Sequence, residues 1–262
     1  MKIGIIGCGH MGGGIARRLS DTHEIFLCGH NFKATEGLAK EINATNCKNV
    51  EELVDQVELI ILAVKPKDLN NVITEFKGKI FTNKILISVL SGISLEKLAN
   101  NFSGMKITRM MPNMAVVQGE GVVGLSALDN LEVDQKELLT KLFLPLGLVK
   151  WFPETMMDAV TALTGSGPAF VLVMIEAMVE AGVKMGFNAI DGQALVLQMI
   201  QGTLSMLKET KKHPAELKWQ IASPGGTTIA GLNELETCGL RNGIIKTFLA
   251  TYQQSILLGK LV

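Results

Sequence analysis

Up to about residue 152, short apolar runs alternate with amphipathic stretches. The run Leu59-Ile60-Ile61-Leu62-Ala63-Val64 is continuously apolar, which is typical of a parallel strand covered on both faces. Strand and helix patterns in alternation predict a Rossmann-type, doubly wound and mostly parallel sheet. The predicted strands are 2–6, 24–28, 59–64, 85–89, 106–110, 122–125 and 148–152, with helices such as 94–100 and 134–144 between them.

After Pro153 the β-rich runs stop and the pattern becomes helical. The motif Gly165-Ser166-Gly167-Pro168 predicts a helix start with proline in the first turn, and this helix continues to about Gly186. Its charged residues recur every four positions and form one narrow stripe, so the remaining apolar surface requires burial nearly all round. We predict further helices from Asn188, with Asp191 at the third position, and over 241–258.

These two patterns divide the chain into two predicted domains. Residues 1–156 form the nucleotide-binding Rossmann domain, and residues 157–262 form an all-α C-terminal domain for dimerisation and substrate binding. About a hundred residues cannot cover two broadly apolar helices, so we expect a homo-oligomer in which the helical domains pack together. A membrane span over 169–183 is the alternative, but the charge stripe and the glycine breaks argue against it.

Composition narrows the class of protein. The chain has 25 basic and 25 acidic residues and no net charge, so nothing indicates binding to nucleic acid. Its four cysteines show no CxxC spacing, and the N-terminus has no cleavable signal pattern. We expect a reduced, cytoplasmic protein without a metal site and without membrane attachment.

A glycine-rich turn follows the first strand and reads Gly7-Cys8-Gly9-His10-Met11-Gly12. In a dinucleotide fold Gly7 permits the tight turn, Gly9 lets the pyrophosphate approach the backbone, and Gly12 lets the helix pack on the strand. A second strand at the expected distance strengthens this interpretation. The predicted cofactor contacts here are Gly7, Gly9, His10, Met11 and Gly12.

The loop after the second strand indicates which nicotinamide cofactor is bound. It has no carboxylate before Glu36 to bind the ribose hydroxyls of NAD. We therefore predict NADPH, with NADH possible. The candidate contacts of the 2′-phosphate are His30, Asn31 and Lys33.

Two later strand ends complete the predicted cofactor site. Ligands of open α/β sheets lie beyond the carboxyl ends of the strands, so Ala63, Val64, Lys65 and Pro66 should border the cofactor. Asn113, at the tip of another strand, either positions substrate or nicotinamide or only stabilises its turn.

A second glycine-rich turn, Ser223-Pro224-Gly225-Gly226-Thr227-Thr228, opens a helical pattern near the end of the chain. Backbone N–H groups at a helix start can hold a small anion. Alternatively, Thr227 or Thr228 caps the helix.

Five motifs stand in order along the chain: Gly7-x-Gly9-x-Met11-Gly12, Val64-Lys65-Pro66, Arg109-Met110-Met111-Pro112-Asn113, Gly165-Ser166-Gly167-Pro168-Ala169-Phe170 and Ser223-Pro224-Gly225-Gly226-Thr227-Thr228-Ile229-Ala230-Gly231-Leu232. Together they resemble the pyrroline-5-carboxylate reductase family over nearly the whole chain. The stretch from Ser223 to Leu232 is the most specific of them.

The resemblance implies reduction of 1-pyrroline-5-carboxylate to L-proline by hydride from NAD(P)H, the last step of proline biosynthesis. It implies that the hydroxyl of Thr228 is catalytic and stabilises the developing amine. It also implies that Gly165 and Ser166 lie under the nicotinamide, and that the helical domain forms a dimer or a multiple of dimers. The substrate-binding residues implied by the resemblance are Gly225, Gly226, Thr227, Thr228 and Ile229.

The chain departs from the family at Lys211, where relatives often carry a glutamate two residues before the His-Pro pair. This lysine either disturbs the substrate loop or attracts the substrate carboxylate. Two other functions remain alternatives: a reductase of a related small cyclic imine, and a non-catalytic dinucleotide-binding regulator. A β-hydroxyacid enzyme would need a general acid early in the helical domain, and 156–170 contains no lysine or histidine.

Overall fold

The computed structural model describes residues 1–76, 81 and 84–261. The chain forms two compact units. The first contains Met1–Ser166 and the described part of Thr251–Val262, and the second contains Gly167–Ala250. The first unit therefore extends past the predicted boundary at residue 156. Two contacts explain the difference: Met157 and Val160 pack against Met111 of the sheet unit, and the Ser255 hydroxyl donates to Asp158 Oδ1 at 2.7 Å.

The first unit is built on one eight-stranded sheet with the strand order β3-β2-β1-β4-β5-β6-β7-β8. All neighbours are parallel except β6 and β7. The first six positions have the Rossmann order, which confirms the predicted fold class. The strands are β1 Lys2–Ile6, β2 Glu24–Cys28, β3 Thr45–Asn46, β4 Leu59–Leu62, β5 Ile85–Ser88, β6 Lys106–Pro112, β7 Gly121–Ala127 and β8 Gly147–Trp151.

Helices cover both faces of this sheet, because successive strand residues point to opposite sides. Ile5 and Ile61 belong to one buried cluster, and their neighbours Ile6 and Ile60 belong to the other. Two covered faces explain why the strands read as continuous apolar runs. The helices of this unit are α1 His10–Leu19, α2 Phe32–Glu41, α3 Val50–Gln56, α4 Leu69–Phe76, α5 Leu95–Asn101, α6 Val133–Phe143 and α7 Met157–Val160.

The predicted helix start at 165–168 is wrong. The helical path begins upstream, since α7 leads into a π-helical segment, Thr161–Ser166, and then into α8, Gly167–Lys184. Pro168 has no N–H to donate to the carbonyl four residues earlier, and helices widen or bend at such a position. The π segment directly precedes this proline, so proline here marks an irregularity within a helix and not its beginning.

The second unit is entirely helical. Asn188 caps α9 by accepting from the backbone N–H of Asp191 at 2.9 Å, as the sequence predicts. The helices α8 and α9 approach closely at a glycine pair, where a Cβ on Gly182 would lie 3.8 Å from the Cα of Gly192. The remaining helices are α9 Ala189–Thr210, α10 Pro214–Ile221, α11 Thr227–Thr237 and α12 Leu240–Leu261, whose last residues belong to the first unit.

Large apolar side chains of α8 and α9 remain on the surface of the single chain. Leu172 is 64% exposed, Val173 63% and Ile190 83%. Monomeric proteins seldom expose so continuous an apolar surface, so these helices have the character of an interface. Among the described residues, one helical stretch, Glu154–Lys184, also meets the length and hydropathy criteria for a membrane span, which is weak evidence because core helices of soluble proteins meet them too.

Candidate active site

The first glycine turn is fixed by close packing. Gly7 has a φ of +99°, and its backbone N–H donates to the Cys28 carbonyl at 2.8 Å. A Cβ on Gly7 would lie 2.6 Å from the Ala63 carbonyl carbon, and a Cβ on Gly12 would collide with the Gly7 carbonyl oxygen. By contrast, a Cβ on Gly9 would meet no atom within 4 Å. The turn thus brings the strand, the loop after β4 and α1 together, and leaves space above Gly9.

That space opens into a cavity of about 760 Å³ at the carboxyl ends of β1, β2 and β4. The order reversal between β1 and β4 is where open α/β sheets bind their ligands. Helix α1 begins beside the cavity with Gly9 as its N-cap and without a side-chain cap, so its first N–H groups are available to an anion. Of the predicted cofactor residues, those lining this cavity are Gly7, Gly9, His30, Asn31, Ala63, Val64 and Lys65.

The other predicted cofactor residues lie outside the cavity lining. Lys33 is exposed in the first turn of α2, and Pro66 begins a 3₁₀ turn, Pro66–Asp68. His10, Met11 and Gly12 form the first turn of α1. Gly165 and Ser166 end the π-helical segment, of which Gly165 is exposed and Ser166 half-buried. Asn113 lies after β6.

Asn113 stabilises its own turn through two hydrogen bonds to Val122. The side-chain Oδ1 accepts from the backbone N–H of Val122 at 3.1 Å, and the backbone N–H of Asn113 donates to the Val122 carbonyl at 3.2 Å. The side chain is buried, with only its NH₂ group left to contact a ligand. These bonds match the alternative in which the amide stabilises the turn, and they leave the predicted contact with nicotinamide as a hypothesis.

The cavity has residues that the sequence does not single out. Lys48 and Asn49 lie in the loop between β3 and α3, and β3 is only two residues long, too short to give a periodic signal. Lys67 and Asp68 belong to the 3₁₀ turn after β4, and Glu75 lies on α4. A search for basic side chains after every predicted strand, and not only after β2, would have found Lys67. It would have missed Lys48, because β3 was not predicted.

Two thiols form part of the cavity wall. Burial raises the pKa of Cys8 to about 11 and the pKa of Cys28 to about 11. Both thiols are therefore protonated at neutral pH, so they add no negative charge beside a phosphate.

An ion pair joins β6 to the segment that follows β8, and the same glutamate binds the start of α5. Arg109 Nη1 donates to Glu154 Oε1 at 2.9 Å, and the backbone N–H of Leu95 donates to the same oxygen at 2.6 Å. Arg109 is buried and lies opposite Ser88 and Ser126 in neighbouring strands. The glutamate therefore anchors β6, which leads to Asn113, and the start of α5 together.

The second glycine turn lies in the helical unit. Gly226 N–H donates to the Ser223 carbonyl at 3.1 Å, Pro224 occupies the second turn position, and Gly225 has a φ of +69°. These are the features of a type II turn, which explains the Pro-Gly pair. Gly226 is the N-cap of α11 and no side chain caps this helix, so the expectation that Thr227 or Thr228 caps it is wrong.

The start of α11 is consequently available for binding. Thr227 is exposed and Thr228 half-buried, and both follow the N-cap within the first turn of the helix. The first N–H groups of an α-helix have no partner inside the helix. An eleven-residue helix whose first turn carries two hydroxyls can bind a small carboxylate. Gly225, Gly226 and Ile229 lie on either side of these threonines.

The fold and the cavity define a dinucleotide-binding protein of the Rossmann class with a separate helical unit. A family model described as pyrroline-5-carboxylate reductase dimerisation matches residues 154–258, and one described as NADP oxidoreductase, coenzyme F420-dependent, matches residues 2–92. The pyrroline-5-carboxylate reductase of Synechocystis sp. is 37% identical over 265 residues, which cover 99% of both chains. The chain belongs to the pyrroline-5-carboxylate reductase family.

Solved structures agree with this assignment. The pyrroline carboxylate reductase of Plasmodium falciparum, with NADP bound, has a TM-score of 0.89 and 30% identity, covering 99% of this chain and 98% of that one. The 1-pyrroline-5-carboxylate reductase of Streptococcus pyogenes has a TM-score of 0.89 and 32% identity, covering 98% of each chain. The match to the dimerisation family supports self-association of this chain.

Proposed function

We propose that this protein reduces the cyclic imine of 1-pyrroline-5-carboxylate to L-proline with NADPH, and so catalyses the last step of proline biosynthesis. The observation that carries the proposal is 37% identity to a pyrroline-5-carboxylate reductase across 99% of both chains. The cavity at the switch point of the sheet supports it independently, because this is the expected place for a dinucleotide.

The residues around the cavity fit NADPH. Gly9 leaves open space for a pyrophosphate close to the backbone, and the first N–H groups of α1, from His10 and Met11, can hold its charge. The loop that follows β2 has no carboxylate before Glu36, so no side chain of this loop repels a 2′-phosphate. When bound, NADPH supplies the hydride. Asn113, Gly165 and Ser166 are proposed contacts of the nicotinamide end.

The substrate carboxylate is proposed to bind at the start of α11. The N–H groups of Thr227 to Ile229, which follow the N-cap Gly226, carry the positive end of the helix dipole, which favours an anion. Backbone N–H groups can bind the substrate carboxylate without a cationic side chain. No positive side chain then repels the protonated ring nitrogen of the same small molecule.

Thr228 is the proposed catalytic residue. A protonated imine is already electrophilic, so the carbon accepts hydride and the C=N double bond becomes a single bond without a metal or a strong acid. The ring nitrogen then gains a lone pair, and the Thr228 hydroxyl donates a hydrogen bond to it. No side chain caps α11, so this hydroxyl is not spent as a cap and can serve the reaction.

The assembly and location are further parts of the proposal. The exposed apolar surfaces of α8 and α9 support a homodimer or a multiple of dimers formed through the C-terminal helices. Four free cysteines, of which Cys28 and Cys47 are buried, suit a reducing cytoplasm.

Oxidation of NADPH and of NADH with racemic 1-pyrroline-5-carboxylate tests the proposal. We expect turnover with a higher kcat/KM for NADPH, and proline as the product in amino-acid analysis. Tight NADPH binding without turnover would instead favour the non-catalytic regulator, and turnover restricted to other cyclic imines would favour the related reductase.

A further inference from the structure

The loop between β3 and α3 opens onto the same edge of the sheet as the loop after β2. β3 pairs with β2 in parallel, with Phe26 opposite Thr45 and Leu27 opposite Asn46, so both strands end at this edge. Lys48 and Asn49 line the cavity there, together with His30 and Asn31. The ribose of the adenosine half of a dinucleotide lies at the end of the second strand, so this group of residues surrounds the position of its 2′ substituent.

Lys48 is held in place by the start of α3. Its backbone N–H donates to Glu52 Oε2 at 2.8 Å, and the backbone N–H of Glu52 donates to the side chain of Asn49, the N-cap, at 2.9 Å. These two bonds fix the loop, and Lys48 stays exposed. No ion pair of Lys48 occurs within the part of the chain that the structure describes.

The other charged groups of the cavity are three residues that follow β4 and one carboxylate on α4. Lys65 and Lys67 follow β4, on the far side of β1 from β2, as does Asp68. Glu75 Oε2 accepts from the backbone N–H of Val50 at 3.4 Å. Lys48 is therefore the lysine of the cavity on the side of β2 and β3.

Two contacts of the 2′-phosphate that the sequence predicts, Lys33 and Asn31, place no positive charge in the cavity lining. Lys33 lies in the first turn of α2 and does not line the cavity. The Asn31 side-chain oxygen accepts from the Ala34 N–H at 3.2 Å as the cap of α2, which leaves only its NH₂ group. A phosphate needs a cation or several donors, and Lys48 is the lysine of the lining on the side of β2 and β3.

We propose that Lys48 pairs with the 2′-phosphate of NADPH and so sets the preference for NADPH over NADH. The inference rests on the proposed use of NADPH, and it goes beyond that use by assigning the discriminating charge to a residue outside the β2 loop. Its test measures binding, so it does not depend on turnover of any substrate.

The experiment compares Lys48→Gln with Lys33→Gln, which removes the same charge from a lysine outside the cavity lining. Isothermal titration gives Kd for four probes: NADPH, NADH, 2′,5′-ADP and 5′-AMP. For Lys48→Gln we expect roughly tenfold weaker binding of the two 2′-phosphate ligands, the scale of one charge-assisted hydrogen bond, and less than about twofold change for the other two. Lys33→Gln should leave all four values unchanged.

Salt provides a second measurement. Raising the salt concentration screens exposed charge pairs, so the affinity of the unaltered protein for 2′,5′-ADP should fall more steeply with salt than that of Lys48→Gln. Equal losses for 2′,5′-ADP and 5′-AMP would overturn the assignment, because they would indicate a general disturbance of the loop. A larger loss in Lys33→Gln, or no loss in Lys48→Gln, would overturn it as well. Failure of the reductase assay with intact NADPH discrimination would contradict only the proposed reaction.

Discussion

The two glycine-rich turns of this protein have the same local design but different surroundings. Each turns the chain into the start of a helix that lacks a side-chain cap. At the first turn, a Cβ on Gly7 would lie 2.6 Å from the Ala63 backbone, whereas a Cβ on Gly225 would meet nothing within 4 Å. The first turn is packed against its own sheet, and the second has open space around Gly225. Both Gly7 and Gly225 have positive φ, but only at Gly7 does close packing also exclude a side chain.

Substitution at Gly12 should have the largest effect. In Gly12→Ala the methyl group collides with the Gly7 carbonyl oxygen, and backbone cannot move aside as a flexible side chain can. We expect a loss of stability of about 2 kcal/mol or more and no measurable NADPH binding. Thermal unfolding and isothermal titration measure the two effects.

Gly37→Ala is the matched control, because Gly37 is exposed on α2 with nothing within 4 Å of a Cβ. It should gain about 0.5–1 kcal/mol, since glycine is unfavourable inside a helix. Normal NADPH binding by Gly12→Ala would show that the first turn is not held by packing.

The exposed helices of the second unit allow the next test. Leu172→Asp places a charge on the apolar surface of α8, where Leu172 is 64% exposed in the single chain. If that surface is buried in a dimer, the unpaired carboxylate should cost several kcal/mol and give monomers in sedimentation velocity. NADPH binding by the first unit should persist.

Leu144→Asp, at a leucine that is 57% exposed in the first unit, should leave the oligomer unchanged. The interface prediction would be wrong if both variants sedimented like the unaltered protein.

Thr228→Ala tests the second turn. We expect kcat/KM for 1-pyrroline-5-carboxylate to fall about 10²- to 10³-fold, the range for loss of one preorganised hydrogen-bond donor. The melting temperature and the Kd of NADPH should not change, because the hydroxyl does not cap α11. Steady-state kinetics and titration separate these effects.

Thr228→Ser should restore much of the activity, and Thr227→Ala should lose less of it. If the melting temperature of Thr228→Ala fell enough to account for the lost activity, the role of Thr228 would be structural and not catalytic.

Lys211 gives the smallest expected effect. It is the C-cap of α9 with a φ of 54° and a ψ of 17°, a left-handed conformation that costs a residue with a Cβ roughly 1–2 kcal/mol. Lys211→Gly should therefore raise the free energy of unfolding by about 1 kcal/mol, measured by denaturant titration.

Lys212→Gly removes the same charge at the neighbouring position, where the backbone does not have positive φ, and it should show no such gain. A KM for 1-pyrroline-5-carboxylate that rises in Lys211→Gly but not in Lys212→Gly would support attraction of the substrate carboxylate by Lys211. Unchanged KM values in both variants would show that Lys211 serves only as the C-cap of α9.

The sequence predicted an element correctly wherever residues close together in the chain are enough to specify that strand or turn. The continuous run at 59–64 predicted β4 because a strand buried on both faces has no polar alternation. Asn188 and Asp191 predicted the start of α9 because capping involves residues only three apart. The helix start at Pro168 was wrong because a local proline signal does not reveal that an upstream segment is already helical.

The sequence by itself determined the nucleotide turn at Gly7 to Gly12, the family resemblance and, apart from the two-residue β3, the strand succession, since each depends on residues close together in the chain. Only the tertiary structure decided that Lys48 lines the cavity and Lys33 does not, that Asn113 is bound to Val122, and that Asp158 meets Ser255. The reason is physical: strand order and helix packing bring together residues whose separation in the chain carries no signal. The charge around a bound phosphate depends on distances between side chains in space, and not on their separation along the chain.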